Sequence, residues 1–156
     1  MEHKSFAKTP LHIQRQGGHH YVTISAVFYK TVTDYEKINF ILDTGAFITV
    51  ISRDTAKLLG YDKLPKIVSK IKGYTGEAPA DFVRIPGLKI LDTQLTDVPV
   101  LIPHSSELKQ NILGLNVLEY FNYYIDTGNS EMHLSQNLKP LHYHSILACS
   151  QVIDNS

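Results

Sequence analysis

The apolar residues of this chain recur chiefly at every second position, and that period selects strands over helices. Residues 21–29 place Val22, Ile24, Ala26 and Phe28 on one face and Tyr21, Thr23, Ser25, Val27 and Tyr29 on the other. A polar link over residues 30–36 turns the chain, 37–42 reads as the returning strand, and a further apolar strand is expected over 47–51. Between 67 and 102 the pattern predicts short strands punctuated by Gly73, Gly76, Pro79, Pro86, Gly87 and Pro99, a spacing that suits a barrel or a sandwich. Two short helices interrupt the strands. Ser52 is placed to cap residues 53–59, with Ala56 and Leu59 facing inward and Gly60 at the C′ position; residues 115–121 put Val117, Leu118 and Phe121 on one face. Strands at 123–126 and 131–134 follow, joined by the turn Thr127-Gly128-Asn129-Ser130. No internal repeat or low-complexity segment is present. The expected class is all-β, with a core over residues 19–135, an N-terminal arm over 1–18 and a C-terminal arm or dimer strand over 136–156.

Length and charge narrow the function. A chain of 156 residues with 43% hydrophobic content buries enough surface to fold as one domain without disulfides or a structural metal. Lys+Arg 15 against Asp+Glu 15 leaves none of the basic excess that a phosphate backbone or an anionic membrane rewards, so neither nucleic acid nor membrane is expected as a partner. Cys149 is the sole cysteine, which excludes an internal disulfide and fits a reducing compartment. Residues 1–10 carry no apolar h-region, and the most apolar stretch, 38–51, is broken by Asp43, Thr44 and Gly45; a cytoplasmic address is therefore expected. His19-His20 and the pair His142 and His144 could bind a metal, alternating histidines on a strand sharing a face, but no carboxylate or third ligand is predicted beside them, so no metal and no cofactor is expected. Cys149 has no partner motif and reads as inert.

The segment that carries chemistry is Ile41-Leu42-Asp43-Thr44-Gly45-Ala46, followed by Ile48, Val50 and Ile51. It places a carboxylate between two apolar strands, where desolvation acts on it. Gly45 permits a close backbone approach, and the Thr44 hydroxyl can hydrogen-bond across a nearby symmetry axis. Asp-Thr-Gly alone is ordinary turn chemistry. A pair of such carboxylates is different, because the two cannot both ionise. They share a proton, and one acts as general base on a water while the other donates to the scissile carbonyl.

Three segments together resemble the retropepsin-like aspartic proteases, the single-lobe relatives of the pepsins. Phe40-Ile41-Leu42-Asp43-Thr44-Gly45-Ala46-Phe47-Ile48-Thr49-Val50-Ile51-Ser52 is similar to that family's catalytic loop with its flanking strand and helix. Asn111-Ile112-Leu113-Gly114 is similar to its apolar-apolar-Gly segment, with a short helix after it. Ile71-Lys72-Gly73-Tyr74-Thr75-Gly76 sits where the family has its flap. The resemblance implies a retropepsin-like acid-protease barrel with two short helices and one lobe per chain, working as a homodimer on an extended peptide. It implies Asp43 as the catalytic residue, Thr44, Gly45 and Ala46 as the active-site loop, and Gly73, Tyr74, Thr75 and Gly76 as flap and substrate contacts. Ile112, Leu113 and Gly114 would support the loop. A second tripeptide, Asp126-Thr127-Gly128, is followed by the polar Asn129-Ser130-Glu131 and lacks an apolar-apolar-Gly downstream, so it reads as a hairpin turn. The rival to an endopeptidase is a peptide-binding or structural dimer of the same fold without useful turnover. An intact Asp43-Thr44-Gly45-Ala46 favours the enzyme, since a binding module has no use for paired carboxylates that are costly to desolvate.

Overall fold

The computed structural model describes residues 7–16, 18–73 and 75–137. The expected roles of Tyr74, His142, His144 and Cys149 lie outside these residues. In chain order the elements are β1 (Ala7–Pro10), β2 (His12–Gln16), β3 (His19–Tyr29), β4 (Tyr35–Leu42), β5 (Thr49–Val50), α1 (Arg53–Leu59) and a 3-10 turn (Tyr61–Lys63). There follow β6 (Lys66–Gly73), β7 (Gly76–Ile90), β8 (Thr93–Pro103), β9 (Ile112–Leu113), α2 (Leu115–Leu118), β10 (Phe121–Asp126) and β11 (Glu131–Gln136).

The large sheet runs β2-β3-β4-β9-β5-β8-β7-β6, and a further pairing of β3 with β7 closes six of these strands into a barrel. The closure is antiparallel, Val27 to Lys89 through Tyr29 to Gly87. A three-stranded sheet, β1-β11-β10, packs alongside. The fold is the expected all-β barrel with two short helices. Ile24, Ala26 and Phe28 of β3 are buried as their alternation requires, and the Phe28 and Phe40 rings stack at 4.7 Å. Each large apolar side chain so enclosed contributes about 1.5–3 kcal/mol. Tyr61 is fully buried with its hydroxyl donating to the Tyr29 carbonyl at 2.6 Å, and burial pushes its phenol well above the ordinary value. Of the segment expected as an N-terminal arm, Ala7–Pro10 pairs with β11, His12–Gln16 pairs with β3, and Leu11 lies in the core. Among the described residues no helix is long and apolar enough to cross a membrane.

Helix α1 has the expected ends. The Thr55 N–H donates to Ser52 Oγ at 3.2 Å, Gly60 is left-handed at φ 75°, and Ala56 and Leu59 are buried. Three expectations are corrected. Residues 67–102 form parts of three long strands instead of several short ones, because each proline escapes the ladder. Pro79 turns its carbonyl, and with it the edge where an N–H is missing, toward His104 past the end of β8. Pro86 falls at a break in the register opposite Asp97, whose φ is 54°, and Pro99 faces Asn116. The helix expected over 115–121 stops at Leu118, since Phe121 already begins β10, although Val117, Leu118 and Phe121 are all buried. The strand expected over 47–51 contracts to Thr49–Val50, and Phe47 is 69% exposed.

Candidate active site

Asp43 stands at the end of β4, where the chain leaves the barrel, loops and returns as β5. Strand β9 inserts between these two limbs, parallel to β4 and antiparallel to β5. The loop is therefore held from both sides by one segment. The Ile41 N–H donates to the Asn111 carbonyl at 2.8 Å and the Asp43 N–H to that of Leu113 at 3.2 Å. On the returning limb the Ala46 carbonyl accepts from Leu115 N–H at 2.8 Å and the Phe47 carbonyl from Asn116 N–H at 3.0 Å. Within the loop, Ala46 N–H turns back to the Asp43 carbonyl, and Gly45 N–H donates to Asp43 Oδ1 at 2.9 Å. The carboxyl is thereby oriented by backbone. It is half-buried, not enclosed by its flanking strands, and Thr44 and Gly45 at the tip are exposed.

Gly114 is the contact that lets the two segments meet. A Cβ built there would lie 2.7 Å from the Ile48 carbonyl carbon and 2.9 Å from Thr49 N, closer than any side chain tolerates. Ile112 and Leu113 precede it, with Leu113 fully buried in the barrel core and Ile112 packed against a second apolar cluster around Val50, Ala80 and Leu101.

Two asparagines that sequence reasoning assigned no role hold this arrangement. Asn116 is fully buried; its Oδ1 accepts from Thr49 N–H at 2.8 Å and from Thr49 Oγ1 at 3.0 Å, and its Nδ2 donates to the Pro99 carbonyl at 2.8 Å. The Thr49 hydroxyl in turn accepts from Gly114 N–H at 3.1 Å. Asn111 accepts from Ser52 N–H at 2.9 Å and donates to Thr55 Oγ1 at 3.2 Å, tying β9 to the start of α1. The signal in the sequence is faint. Thr49 and Asn116 are each a polar residue inside a segment otherwise apolar enough to be buried.

The hairpin β6–β7 closes on a Gly73–Gly76 pair, with Thr75 exposed and Gly76 at φ 127°. Near its tip Lys70 and Lys72 both bind Glu77, at 3.2 and 3.4 Å, and hold its carboxyl below the usual range. Its inner residues Ile71, Ala80 and Phe82 join the cluster that includes Ile48 and Ile112, so hairpin and loop share apolar contacts. Asp126 lies elsewhere in the fold, at the β10–β11 turn. Its carboxylate accepts from Asn129 Nδ2 at 2.8 Å and Asn129 N–H at 3.1 Å, and these bonds lower its pKa. Among the described residues no three His, Cys, Asp or Glu side chains gather as a metal site.

Several exposed carboxylates share this direction of shift. Arg84 holds Asp97 low, Lys109 holds Asp54 low, and Glu77 and Asp126 are depressed as described. A group whose pKa is lower folded than unfolded stabilises the fold above its unfolded pKa, and loses that contribution as pH falls through its folded pKa. The urea midpoint is therefore expected to be level from neutrality to about pH 5 and to decline below about pH 4. A midpoint that rises on acidification contradicts the assignment.

A closed six-stranded barrel with a single inserted strand bracing an Asp-Thr-Gly loop defines the architecture of a one-lobed acid protease. A family profile described as aspartyl protease matches residues 30–117, more than half of the chain, and the chain belongs to that family of aspartic-type endopeptidases. Among solved structures it is similar to a retropepsin-like aspartic protease from Rickettsia conorii, with 22% identity and a TM-score of 0.58 over 85% of this chain and 96% of that one. It is similar also to the EIAV protease complexed with the inhibitor HBY-793, with 18% identity and a TM-score of 0.51 over 68% of this chain and 92% of that one. These likenesses establish the retropepsin-like fold. No curated protein matches the chain.

Proposed function

We propose that two copies of the chain assemble about a two-fold axis and hydrolyse peptide bonds with a water held between their two Asp43 carboxyls. The observation that carries this reading is the state of the loop tip. Each chain has one braced Asp-Thr-Gly loop, its carboxyl half-buried and its Thr44 and Gly45 exposed, while the second Asp-Thr-Gly spends its carboxylate on its own turn. A single carboxyl in that setting lacks both the partner that shares its proton and the cover that excludes water; a second copy of the same tip supplies both. In the dyad one carboxylate takes a proton from the water as it attacks the scissile carbonyl, and the protonated one donates to the carbonyl oxygen. The β6–β7 hairpin, with Gly73, Thr75 and Gly76 at its tip, serves as a flap over an extended peptide, and Ile112, Leu113 and Gly114 keep the loop in place. The protease domain, expected over residues 19–135, takes in β1 and β2 as well, since both pair into its sheets and Leu11 lies in its core, and the enzyme acts in the cytoplasm.

Because each site draws on two chains, specific activity is expected to fall on dilution, over the same range in which sedimentation reports dissociation. Constant specific activity at concentrations where the protein sediments as a monomer refutes the shared dyad.

A further inference from the structure

Asp81 is a buried carboxylate that the chemistry at Asp43 does not use. Strand alternation puts it on the side of β7 that carries Val83 and Ile85 into the main core, and it stands across the ladder from Ile102 of the same core. A charge so placed loses hydration and needs partners. His104 Nε2 lies 2.7 Å from Asp81 Oδ1, and Lys66 Nζ lies 3.7 Å from Oδ2. The carboxylate only accepts, so Nε2 is the donor. The place is the root of the hairpin. Pairing of β7 with β8 begins at Ala80, so residues 76–79, all exposed, and their β6 partners 70–73 extend past β8. His104, the first residue beyond β8, closes on this point twice, with its ring on Asp81 and with its backbone N–H on the Pro79 carbonyl at 3.1 Å. From there the chain passes Leu108, which packs against the cluster of Val50, Ala80 and Leu101, and reaches Asn111, whose carbonyl accepts from Ile41 N–H. Residues 104–111 are thus tied at one end to the hairpin and at the other to the strand that delivers Asp43.

Resting on the endopeptidase reading above, in which the hairpin covers the peptide, we infer that Asp81 and His104 are positioning residues, whose bond fixes the angle at which the hairpin leaves the barrel relative to the Asp43 loop. They act through the hairpin, not on the peptide. Stability alone is a weak reason for the pair, since an apolar replacement of a buried ion pair is often neutral or stabilising. What the pair supplies is a directional contact at the pivot, which narrows the range of hairpin orientations that a peptide must restrict on binding.

The test compares Asp81→Leu, Asp81→Asn and His104→Ala with wild type by initial rates, thermal melts and hydrogen exchange at the amides of residues 70–73 and 76–78. Asp81→Leu removes the acceptor while filling the space, and the half-exposed His104 and Lys66 turn to water. It is expected to raise KM about fivefold and hold kcat within about twofold, yet to melt no lower than wild type. His104→Ala should raise KM as much, and the double variant no further, as two residues of one contact require. Asp81→Asn keeps an oxygen for His104 and should keep KM near that of wild type. In the free protein the hairpin amides of Asp81→Leu should exchange about tenfold faster, a readout that needs no turnover. An inactive wild type therefore refutes the endopeptidase reading alone, since exchange still reports the pivot. Unchanged KM and exchange in Asp81→Leu overturn the inference, as does a rise in KM that comes only with a lower melt. So does Asp81→Asn behaving as Asp81→Leu.

Discussion

Asp43→Asn is expected to abolish peptide hydrolysis in a protein that still folds, whereas Asp126→Asn is expected to leave a readily measured rate. The two residues head identical tripeptides, and the difference lies in what each carboxyl does. At position 43 an amide oxygen can accept from Gly45 N–H as Oδ1 does now, so the loop keeps its turn. The neutral amide cannot take a proton from water, and loss of a general base costs up to roughly 10⁴-fold in rate. At position 126 both carboxylate oxygens are engaged by Asn129 across a solvent-exposed turn. Exchanging one for an NH₂ sets donor against donor there and costs local order, not chemistry. Initial rates on a peptide substrate, with a thermal melt of each variant, check the pair. If both substitutions abolish turnover in folded protein, and the wild type is active as a monomer, the dyad lies within one chain and the two-chain architecture is wrong.

Local pattern accounts for what the sequence made legible. The alternation of Val22, Ile24, Ala26 and Phe28 is a property of one strand, and the Ser52 cap with its Gly60 stop is a property of one helix, so both can be read without knowing the rest of the chain. The barrel's long strands could not, because whether a proline breaks a strand depends on which edge it presents and what faces that edge. Pro79 and Pro99 present theirs to His104 and Asn116, neither of which is a ladder partner. Phe47 was misread for a related reason. Its neighbours are apolar and half-buried, yet the loop turn takes that one side chain out of the packing. Closure of the barrel by Val27–Tyr29 against Gly87–Lys89 joins residues too far apart for any window-based reading.

Asn116 is the least legible residue of the site, and its replacement is expected to give the largest loss of stability. Its amide satisfies Thr49 N–H, the Thr49 hydroxyl and the Pro99 carbonyl in a place without exposure to water. Asn116→Ala leaves at least a backbone donor and a backbone acceptor buried without partners. At about 1–3 kcal/mol each, the expected loss is roughly 3 kcal/mol, a large share of the 5–15 kcal/mol that holds a typical domain. For a chain of this size that lowers the melting temperature by roughly 6–12 °C. Asn116→Asp separates polarity from shape. The carboxylate form keeps the acceptor for Thr49 but sets a buried negative charge against the Pro99 carbonyl, so at neutral pH it should melt lower still. Burial raises the pKa of such a carboxyl, and its protonated form can donate to Pro99 as the amide does, so Asn116→Asp should regain stability relative to wild type as the pH falls. Because the Thr49 hydroxyl that Asn116 holds also accepts from Gly114 N–H, activity of either variant should fall at temperatures well below its own melt. A melt of Asn116→Ala within a degree of wild type would show that the loop is braced by the backbone pairing of β9 alone.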